Sequence, residues 1–169
     1  MQKLLTGNAF VFGNNVDTDQ IYPGRFVEFT DVEDVAKYAM FGADPEFTKK
    51  IKKGDFIIAG TNFGCGSSRE HAAITLKAVG VGAIIAESFA RIFYRNAINL
   101  GVPLLICPHI SKLIQLGDAL KIDLQSGVIR CEKECIATAE PLSEYVLHIL
   151  ESGGIKPLIK QQLEAQANA

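Results

Sequence analysis

The sequence predicts an α/β fold, in which helices flank a central, partly parallel sheet. Its middle third alternates short apolar segments, which are typical of buried strands, with longer segments of helical periodicity. These segments cover residues 55–59, 69–79, 81–86, 88–99 and 102–106. Strands that alternate with helices in this way pair in parallel through right-handed crossovers. The length of 169 residues suits a single domain over 1–169, with a core over about 8–150 and a helical tail over 151–169.

Turn and capping residues predict the elements on either side of this alternation. Before it, we expect a strand that runs into a loop and then two helical segments, over residues 9–16, 31–40 and 46–53. After it, we expect a short helix, two hairpin strands and two terminal helices, over residues 111–116, 119–124, 127–131, 142–152 and 155–169. We expect Asp31 and Ser88 to be helix N-caps.

Composition and charge exclude several classes of partner. Hydrophobic residues make up 48% of the chain and charged residues 21%, and the net charge is -2. The chain therefore lacks the basic footprint of a protein that binds nucleic acid or an anionic membrane. No apolar segment reaches the roughly 18 residues that a membrane helix needs. The first residues also lack the apolar core of a secretory signal, so we expect a cytoplasmic protein.

The four cysteines are expected to be reduced and to bind no metal. Cys131 and Cys135 form an isolated C-x3-C pair without further ligands beside it, and Cys65 and Cys107 stand alone. The spacing of a complete iron–sulfur motif is absent from the sequence. The sequence therefore predicts no metal site on this chain.

A glycine-rich segment over residues 60–71, GTNFGCGSSREH, links a predicted buried strand to a predicted helix. Glycine lets a ligand approach the backbone, and a helix N-terminus offers free N–H groups with a partial positive charge. Arg69 suits carboxylate recognition, and Ser67 and Ser68 add hydroxyls. These features favour a carboxylate pocket, but a phosphate loop and simple helix capping by the serines are alternatives. The segment lacks the lysine of a P-loop and the spacing of a dinucleotide fingerprint.

Three motifs give the chain a specific resemblance to a known family. The segment GCGSSREH over residues 64–71 resembles the G-x-G-S-S-R-E-H signature of the swivelling domain in the aconitase superfamily. Residues 15–24, NVDTDQIYPG, look like the family's DTD-x-I-x-P motif, and residues 87–99 are similar to its SFARIFYRNAIN segment. The match runs in order from about Phe10 to Pro108. It implies the β/β/α fold of that swivelling domain.

The resemblance implies a hydro-lyase that interconverts 2-hydroxy and 3-hydroxy di- or tricarboxylates. In that family a [4Fe-4S] cluster on a large subunit is the Lewis acid. This chain is therefore expected to bind no cofactor itself and to act only within a heterodimer or heterotetramer. Ser67 matches the serine that removes a proton next to a carboxylate. Ser68 and Arg69 match residues that hold a substrate carboxylate, and Asp19 matches an active-site aspartate.

A serine base needs help, because the very high pKa of a hydroxyl makes an alkoxide unfavourable at neutral pH. We expect the helix N-terminus, Arg69 and nearby N–H groups to stabilise a Ser67 anion. Asp17 is expected to fix its loop, and His71 to have a packing role. Cys65 is expected to take no part in catalysis, since no base stands near it in the sequence.

The segment after Pro23-Gly24 is similar to the family's specificity loop, whose residues here are Arg25, Phe26, Val27, Glu28 and Phe29. Homoaconitase-like small subunits carry YLRT over the last four of these positions, and the arginine grips an extra carboxylate. Glu28 stands at the place of that arginine and would repel a third carboxylate, whereas the apolar side chains suit an alkyl group. This favours isopropylmalate, an intermediate of leucine biosynthesis, over homocitrate or citrate. Arg25 lies close enough to reverse the charge argument.

Other functions remain open from the sequence alone. Small subunits of this size also occur in homoaconitase and in dimethylmalate dehydratase, and dimethylmalate would suit the same apolar wall. A binding or regulatory module of the same fold, without catalysis, is the alternative of another class. The intact Ser67 and Arg69 argue against that module, because a purely structural role does not need them.

Overall fold

A seven-stranded sheet runs through the computed structural model, which describes residues 3–169. The strands are Leu4–Val11 (β1), Phe56–Ala59 (β2), Ala83–Ala86 (β3), Leu104–Ile106 (β4), Ala119–Asp123 (β5), Val128–Cys131 (β6) and Glu134–Thr138 (β7). The helices are Thr18–Ile21 (α1), Val32–Ala36 (α2), Phe47–Lys50 (α3), His71–Val79 (α4), Arg91–Asn99 (α5), Ile110–Leu113 (α6), Glu144–Glu151 (α7) and Ile155–Ala167 (α8). A 3₁₀ turn, Gly24–Phe26, follows α1. Among the described residues, no helix has the length and apolar character that crossing a membrane requires.

The sheet has a parallel half and an antiparallel half. In space the strands follow the order β4-β3-β2-β1-β5-β6-β7. Strands β1 to β4 are parallel to one another, and β5, β6 and β7 form an antiparallel meander that joins the sheet through β1. This arrangement confirms the predicted fold class, the parallel pairing and the hairpin of β5 and β6.

Side chains of the parallel strands alternate between two core clusters, one on each face of the sheet. On one face, Ile57 and Ile84 belong to a cluster with Leu76 of α4 and Phe93 of α5. On the other face, Ile58 belongs to a cluster that includes residues of α6 and β5. Because both faces are covered, every residue of β2 and β3 is buried. The strand ends are therefore held firmly, and so are the loops that leave them.

Strand β1 begins and ends several residues before the strand that the sequence predicts. Gly7 and Asn8 precede the predicted strand, yet they lie inside β1. The Asn8 N–H donates to Asp55 Oδ1 at 3.0 Å, and Gly7 fits closely against the Gly54 carbonyl. Long-range contacts thus hold these two residues in the strand. Strand β7 and helix α1 were also absent from the sequence prediction, since β7 is largely exposed and α1 is a single turn.

The two long helices beside the glycine-rich loop begin later than predicted. Helix α4 begins at His71 instead of Arg69, and its N-cap makes no side-chain capping hydrogen bond. Helix α5 begins at Arg91, so the predicted cap at Ser88 is wrong; the Ser88 hydroxyl instead accepts the Asn62 N–H at 2.8 Å. The predicted cap at Asp31 is confirmed, because its carboxylate accepts the N–H of Glu33.

The C-x3-C pair belongs to the hairpin of β6 and β7. Cys131 pairs with Glu134, and Cys135 pairs with Arg130, so the two cysteines occupy neighbouring register positions on opposite faces. Cys131 contacts the core, whereas Cys135 is exposed. The four cysteines are free thiols. Burial, with a smaller contribution from the charge of Glu87, raises the pKa of the Cys107 thiol.

The close packing of β1, β2 and β3 is tested by the substitution Gly82→Ala. A Cβ at Gly82 would collide with the carbonyl oxygen of Gly54, which is backbone and cannot move aside easily. We expect Gly82→Ala to lower the free energy of unfolding by about 1–3 kcal/mol in urea denaturation. Gly13→Ala is the matched control, because nothing lies within 4 Å of a Cβ at that position. Equal stabilities of the two variants would contradict this packing.

Candidate active site

Two loops that leave neighbouring strands form the site. Because β1 and β2 are parallel, the segments over residues 12–19 and 60–70 emerge at the same edge of the sheet. The Thr18 N–H donates to the Cys65 carbonyl at 2.8 Å, and the Gly64 N–H donates to the Val16 carbonyl at 2.7 Å. These backbone hydrogen bonds join the two loops into one surface.

Helix α1 begins at a capping box that Asp17 forms with Gln20. The Asp17 carboxylate accepts the Gln20 N–H at 2.8 Å, and the Gln20 side-chain oxygen accepts the Asp17 N–H at 2.9 Å. This reciprocal pair holds Thr18 and Asp19 in the first turn of the helix. Asp17 therefore fixes its loop, as the sequence predicts.

Two glycines give the second loop its shape. Gly64 and Gly66 have φ angles of +85° and +106°, where a side chain is disfavoured. A Cβ at Gly64 would also collide with the Phe93 ring, and a Cβ at Gly66 would lie 3.1 Å from Thr18 Oγ1. The loop can therefore pack against both α5 and Thr18 only with glycine at these positions.

Several hydrogen-bond donors converge on the Ser67 hydroxyl. Its Oγ lies 3.0 Å from Thr18 Oγ1, 3.2 Å from Arg69 Nε and 3.4 Å from the Arg69 backbone nitrogen. Thr18 Oγ1 also accepts the Ser67 N–H at 3.1 Å, which leaves the Thr18 hydroxyl proton available to point at Ser67 Oγ. Three donors, one of them cationic, can therefore stabilise negative charge on this oxygen.

Thr18 belongs to the candidate site, although the sequence did not indicate it. It is only 4% exposed, whereas its partner Ser67 is exposed to solvent. A signal was present in the sequence, because a D-x-x-Q capping box places a helix start at Thr18, next to Asp19. Only the fold shows that this hydroxyl meets Ser67 of the other loop.

Arg69 links Ser67 to Asp19. Its Nη2 lies 3.1 Å from Asp19 Oδ1 while its Nε donates to Ser67, so two guanidinium nitrogens already have protein partners. The third, Nη1, is buried and has no hydrogen-bond partner within residues 3–169. It packs against Gly24, where a Cβ would come within 2.7 Å. The Asp19 side chain is 65% exposed, so this ion pair contributes less than about 1 kcal/mol and mainly orients the guanidinium.

The N-terminus of α4 lies farther from Ser67 than the sequence suggests. Because α4 begins at His71, the donors that reach Ser67 Oγ come from Arg69 and Thr18 and not from the helix. Ser68, which lies between Ser67 and Arg69 in the chain, is exposed. His71 stacks on the Tyr22 ring with a centroid distance of 5.7 Å and an interplanar angle of 11°, which is a packing contact.

The predicted specificity segment packs into an aromatic cluster, formed by Tyr22, Phe26, Phe29, Tyr38 and Phe41. Phe26 stacks on Tyr38 with a centroid distance of 3.9 Å, and Phe29 stacks on Tyr38 at 5.5 Å. The Tyr22 hydroxyl donates to the Phe26 carbonyl at 2.6 Å. Burial raises the pKa of Tyr22, with smaller contributions from Tyr38 and Asp34, so this donor keeps its proton. The apolar surface of the segment is therefore preformed.

An open cleft of about 570 Å³ lies beside the Asp19–Arg69 pair. Its lining comes from α1, the 3₁₀ turn and the segment before α3, and comprises Asp17, Asp19, Gln20, Pro23, Gly24, Arg25, Phe41, Gly42 and Pro45. The Arg25 guanidinium carbon lies 4.8 Å from the centroid of the Phe26 ring. Glu28 is exposed and stands outside this lining. The cleft thus brings Asp19 and Arg25 together, and the other four residues of the predicted segment, Phe26, Val27, Glu28 and Phe29, do not line it.

A second cavity, of about 360 Å³, lies between α4, α5 and α8 and is more enclosed than the cleft. Its lining contains neither Ser67 nor Arg69. Lys77 in this cavity donates to the backbone carbonyls of Leu100 and Gly153, so its charge stabilises the ends of two helices. Asp19 lines the open cleft and is joined to Ser67 through Arg69, whereas none of these three residues lines this cavity.

Residues 13–107, more than half of the chain, match the Aconitase C-terminal domain family. The chain belongs to this family. Within residues 3–169, no group of three or more His, Cys, Asp or Glu side chains could hold a metal ion. The described side chains therefore do not fit an iron–sulfur cluster.

Curated relatives are similar to this aconitase C-terminal domain over nearly its whole length. The 3-isopropylmalate dehydratase small subunit 1 of Methanopyrus kandleri is 49% identical over 96% of both chains. The isopropylmalate/citramalate isomerase small subunit of Methanocaldococcus jannaschii is 48% identical over 96% of this chain and 98% of its own. The methanogen homoaconitase small subunit of Methanothermobacter thermautotrophicus is 49% identical over 92% of this chain and 90% of its own.

A crystal structure of 3-isopropylmalate dehydratase from Methanocaldococcus jannaschii has the same fold. It matches this aconitase C-terminal domain with a TM-score of 0.92 and 42% sequence identity, and the match covers 98% of each chain. The predicted swivelling-domain fold is therefore confirmed.

Proposed function

We propose that this chain is the small subunit of a hydro-lyase that isomerises 3-isopropylmalate and 2-isopropylmalate, in leucine biosynthesis, by removing and re-adding water. The observation that carries the proposal is the set of donors around Ser67 Oγ, one of which, Arg69, also pairs with Asp19 of the open cleft. Such an oxygen suits the removal of a proton next to a carboxylate. Two of the similar small subunits have isopropylmalate in their names.

In the proposed reaction, Ser67 Oγ accepts the proton from the carbon next to a substrate carboxylate. The electrons of that C–H bond form a C=C double bond, while the hydroxyl on the neighbouring carbon leaves as hydroxide with its bonding pair. Hydroxide then re-adds with the opposite orientation, and Ser67 returns the proton to the carbon that lost the hydroxyl. Ser67 must begin as an alkoxide, which the Arg69 guanidinium, the Arg69 N–H and the Thr18 hydroxyl would stabilise.

The departing hydroxyl needs a Lewis acid, and we propose that a [4Fe-4S] cluster on a large partner subunit supplies it. Side chains suited to such a cluster were not found within residues 3–169. The proposed enzyme is a cytoplasmic heterodimer or heterotetramer, and this chain alone would be inactive. Ser68 and Arg69 would hold the carboxylate next to the proton that Ser67 removes, with Asp19 beside them.

The proposed substrate is a malate with an alkyl group, for which Phe41, the member of the aromatic cluster that lines the cleft, offers an apolar surface. Homoaconitate is the strongest competitor, because a homoaconitase small subunit is equally similar to this chain. Glu28 would repel its third carboxylate only weakly, since that side chain is exposed and stands outside the cleft. A non-catalytic module is disfavoured, because a merely structural loop does not need the donors that meet at Ser67.

The role of Ser67 is tested by Ser67→Ala in the pair reconstituted with the large subunit. We expect kcat to fall by about 10²–10⁴-fold, because the proton acceptor is lost, while KM changes much less. Ser152→Ala, at the distant C-terminus of α7, is the control and should keep wild-type rates. A Ser67→Ala enzyme with near wild-type kcat and an unchanged unfolding curve would refute Ser67 as the base.

The role of Thr18 is tested by Thr18→Val, which keeps the buried shape and removes the hydroxyl near Ser67 Oγ. We expect kcat to fall by about 10–100-fold, the equivalent of one hydrogen bond to a charged group, and the pH–rate profile to shift to higher pH. Thr18→Ser, which restores the hydroxyl, should recover most of the rate. If Thr18→Ser is as slow as Thr18→Val at equal stability, the Thr18 hydroxyl does not support catalysis.

The substrate is tested by assaying the reconstituted pair with isopropylmalate, dimethylmalate and homoaconitate side by side. We expect the highest kcat/KM for isopropylmalate, with dimethylmalate lower by about tenfold or more, since each lost methylene contact weakens binding. Preferred turnover of homoaconitate would overturn the proposed substrate while leaving the reaction type intact.

A further inference from the structure

We propose that the large subunit docks on the exposed face of α5, where its acidic side chains pair with Arg91 and Arg95. This inference rests on the proposed function, because that function supplies the large subunit. It adds the surface of this chain that binds the partner. We call this surface the α5 face and define it by Arg91, Ile92, Tyr94 and Arg95.

The start of α5 is fixed to the loop that carries Ser67. The Ala90 N–H donates to the Phe63 carbonyl at 2.9 Å, and the Phe63 N–H donates to the Ser88 carbonyl at 3.1 Å. Because β2 and β3 are parallel, the Ser67 loop and the segment that leads into α5 leave the same edge of the sheet. A large subunit that brings a Lewis acid to a substrate at Ser67 must cover this edge. The first turn of α5 is part of the covered surface.

Two positive charges on this face have no partner in the described chain. Arg91 and Arg95 lie about one helical turn apart, and both are exposed. Neither forms an ion pair with a carboxylate of residues 3–169. Burial and, to a smaller extent, the charge of Glu140 raise the pKa of Tyr94, so an acidic residue lies nearby, but beyond ion-pair distance of both arginines. Carboxylates of a partner would complement these two charges.

The stability of α5 does not explain the two arginines. Arg91 is the first residue of the helix, where the helix dipole disfavours a cation, and the first turn contains no acidic residue. Arg91 and Arg95 also repel each other, because residues four apart are neighbours on a helix surface. Side chains that oppose local stability without a compensating contact in the folded chain are typical of functional surfaces.

Apolar surface flanks the arginines on both sides. Ile92 is 52% exposed on one side. On the other side lies a groove of about 440 Å³, whose lining includes Phe89, Tyr94 and Ile106 together with the two arginines. Arginine and aromatic side chains are enriched in protein–protein interfaces, whereas other charged residues are depleted from the interface core. A segment of the large subunit that presents carboxylates between apolar side chains fits this surface.

The test measures by calorimetry the Kd between the large subunit and this chain. We expect the double variant Arg91→Glu/Arg95→Glu to raise this Kd by about 100-fold or more, because attraction at two positions becomes repulsion. Arg130→Glu, which reverses an exposed arginine of β6, is the matched control and should bind like the wild type. Ile92→Ser should raise the Kd by about tenfold. Its control is Ile159→Ser on α8, where the isoleucine is 48% exposed.

Stability and turnover distinguish a docking defect from a folding defect. Glutamate suits the first position of a helix, so the double charge reversal should not lower the urea midpoint of the isolated chain. An excess of the large subunit should restore the kcat of the double variant, because the Ser67 loop is unchanged. A variant with a wild-type urea midpoint and a wild-type Kd would overturn the α5 face as the docking surface.

The remaining outcomes separate the docking surface from the proposed function. If the double variant dissociates a dimer of the isolated chain in ultracentrifugation but keeps its affinity for the large subunit, the α5 face joins two copies and the proposal is wrong. A pair that assembles through the α5 face yet turns over no hydroxy di- or tricarboxylate would overturn the proposed function and support the docking surface. A wild-type chain that does not bind the large subunit would overturn both.

Discussion

The hydrogen bonds of Thr18 join α1 to the Ser67 loop, and the geometry of the site depends on them. Thr18 donates its N–H to the Cys65 carbonyl, and its hydroxyl meets both the N–H and the Oγ of Ser67. Thr18 is buried, so water does not compete for these bonds as it does at an exposed pair. Ser67 can therefore face solvent and substrate while a partner that solvent does not reach determines its orientation.

This contact is possible because the surrounding backbone leaves room for it. Gly66 lets the loop pass close to Thr18 Oγ1, and Gly64 lets the Phe93 ring of α5 pack beneath the loop. The parallel pairing of β1 and β2 brings both loops to the same edge of the sheet. The core of the fold thus positions the site by fixing the ends of the two strands from which its loops leave.

The fold class was predictable because buried parallel strands and amphipathic helices leave strong local patterns. The features that the sequence failed to predict depend on distant contacts. Gly7 and Asn8 lie outside the predicted strand, and their place in β1 depends on contacts with Gly54 and Asp55, just before β2. Ser88 read as a helix cap, yet its hydroxyl bonds the Asn62 N–H of the loop.

The candidate site likewise contains residues that local motifs predict and contacts that only the fold reveals. The GSSREH and DTD motifs indicated Ser67, Arg69 and Asp19, and the fold brings these three side chains together. No local pattern reveals that Thr18 touches Ser67, because the two residues are far apart in the chain. The positions of the charged side chains of the predicted segment were also not predictable from the sequence. Arg25 lies over the Phe26 ring and lines the cleft, whereas Glu28 lies outside it.

The exposed Arg69–Asp19 pair allows one arginine to serve two purposes in the proposed reaction. A substrate carboxylate can displace Asp19 from Nη2 at little cost, since an ion pair with such exposure is weak. The hydrogen bond from Nε to Ser67 uses a different nitrogen and need not break. In the proposed reaction, the same guanidinium would therefore bind the substrate and orient Ser67 without competition between the two tasks. A buried, strongly bound Asp19 would have made these two tasks conflict, because freeing Nη2 would then leave a charge unpaired.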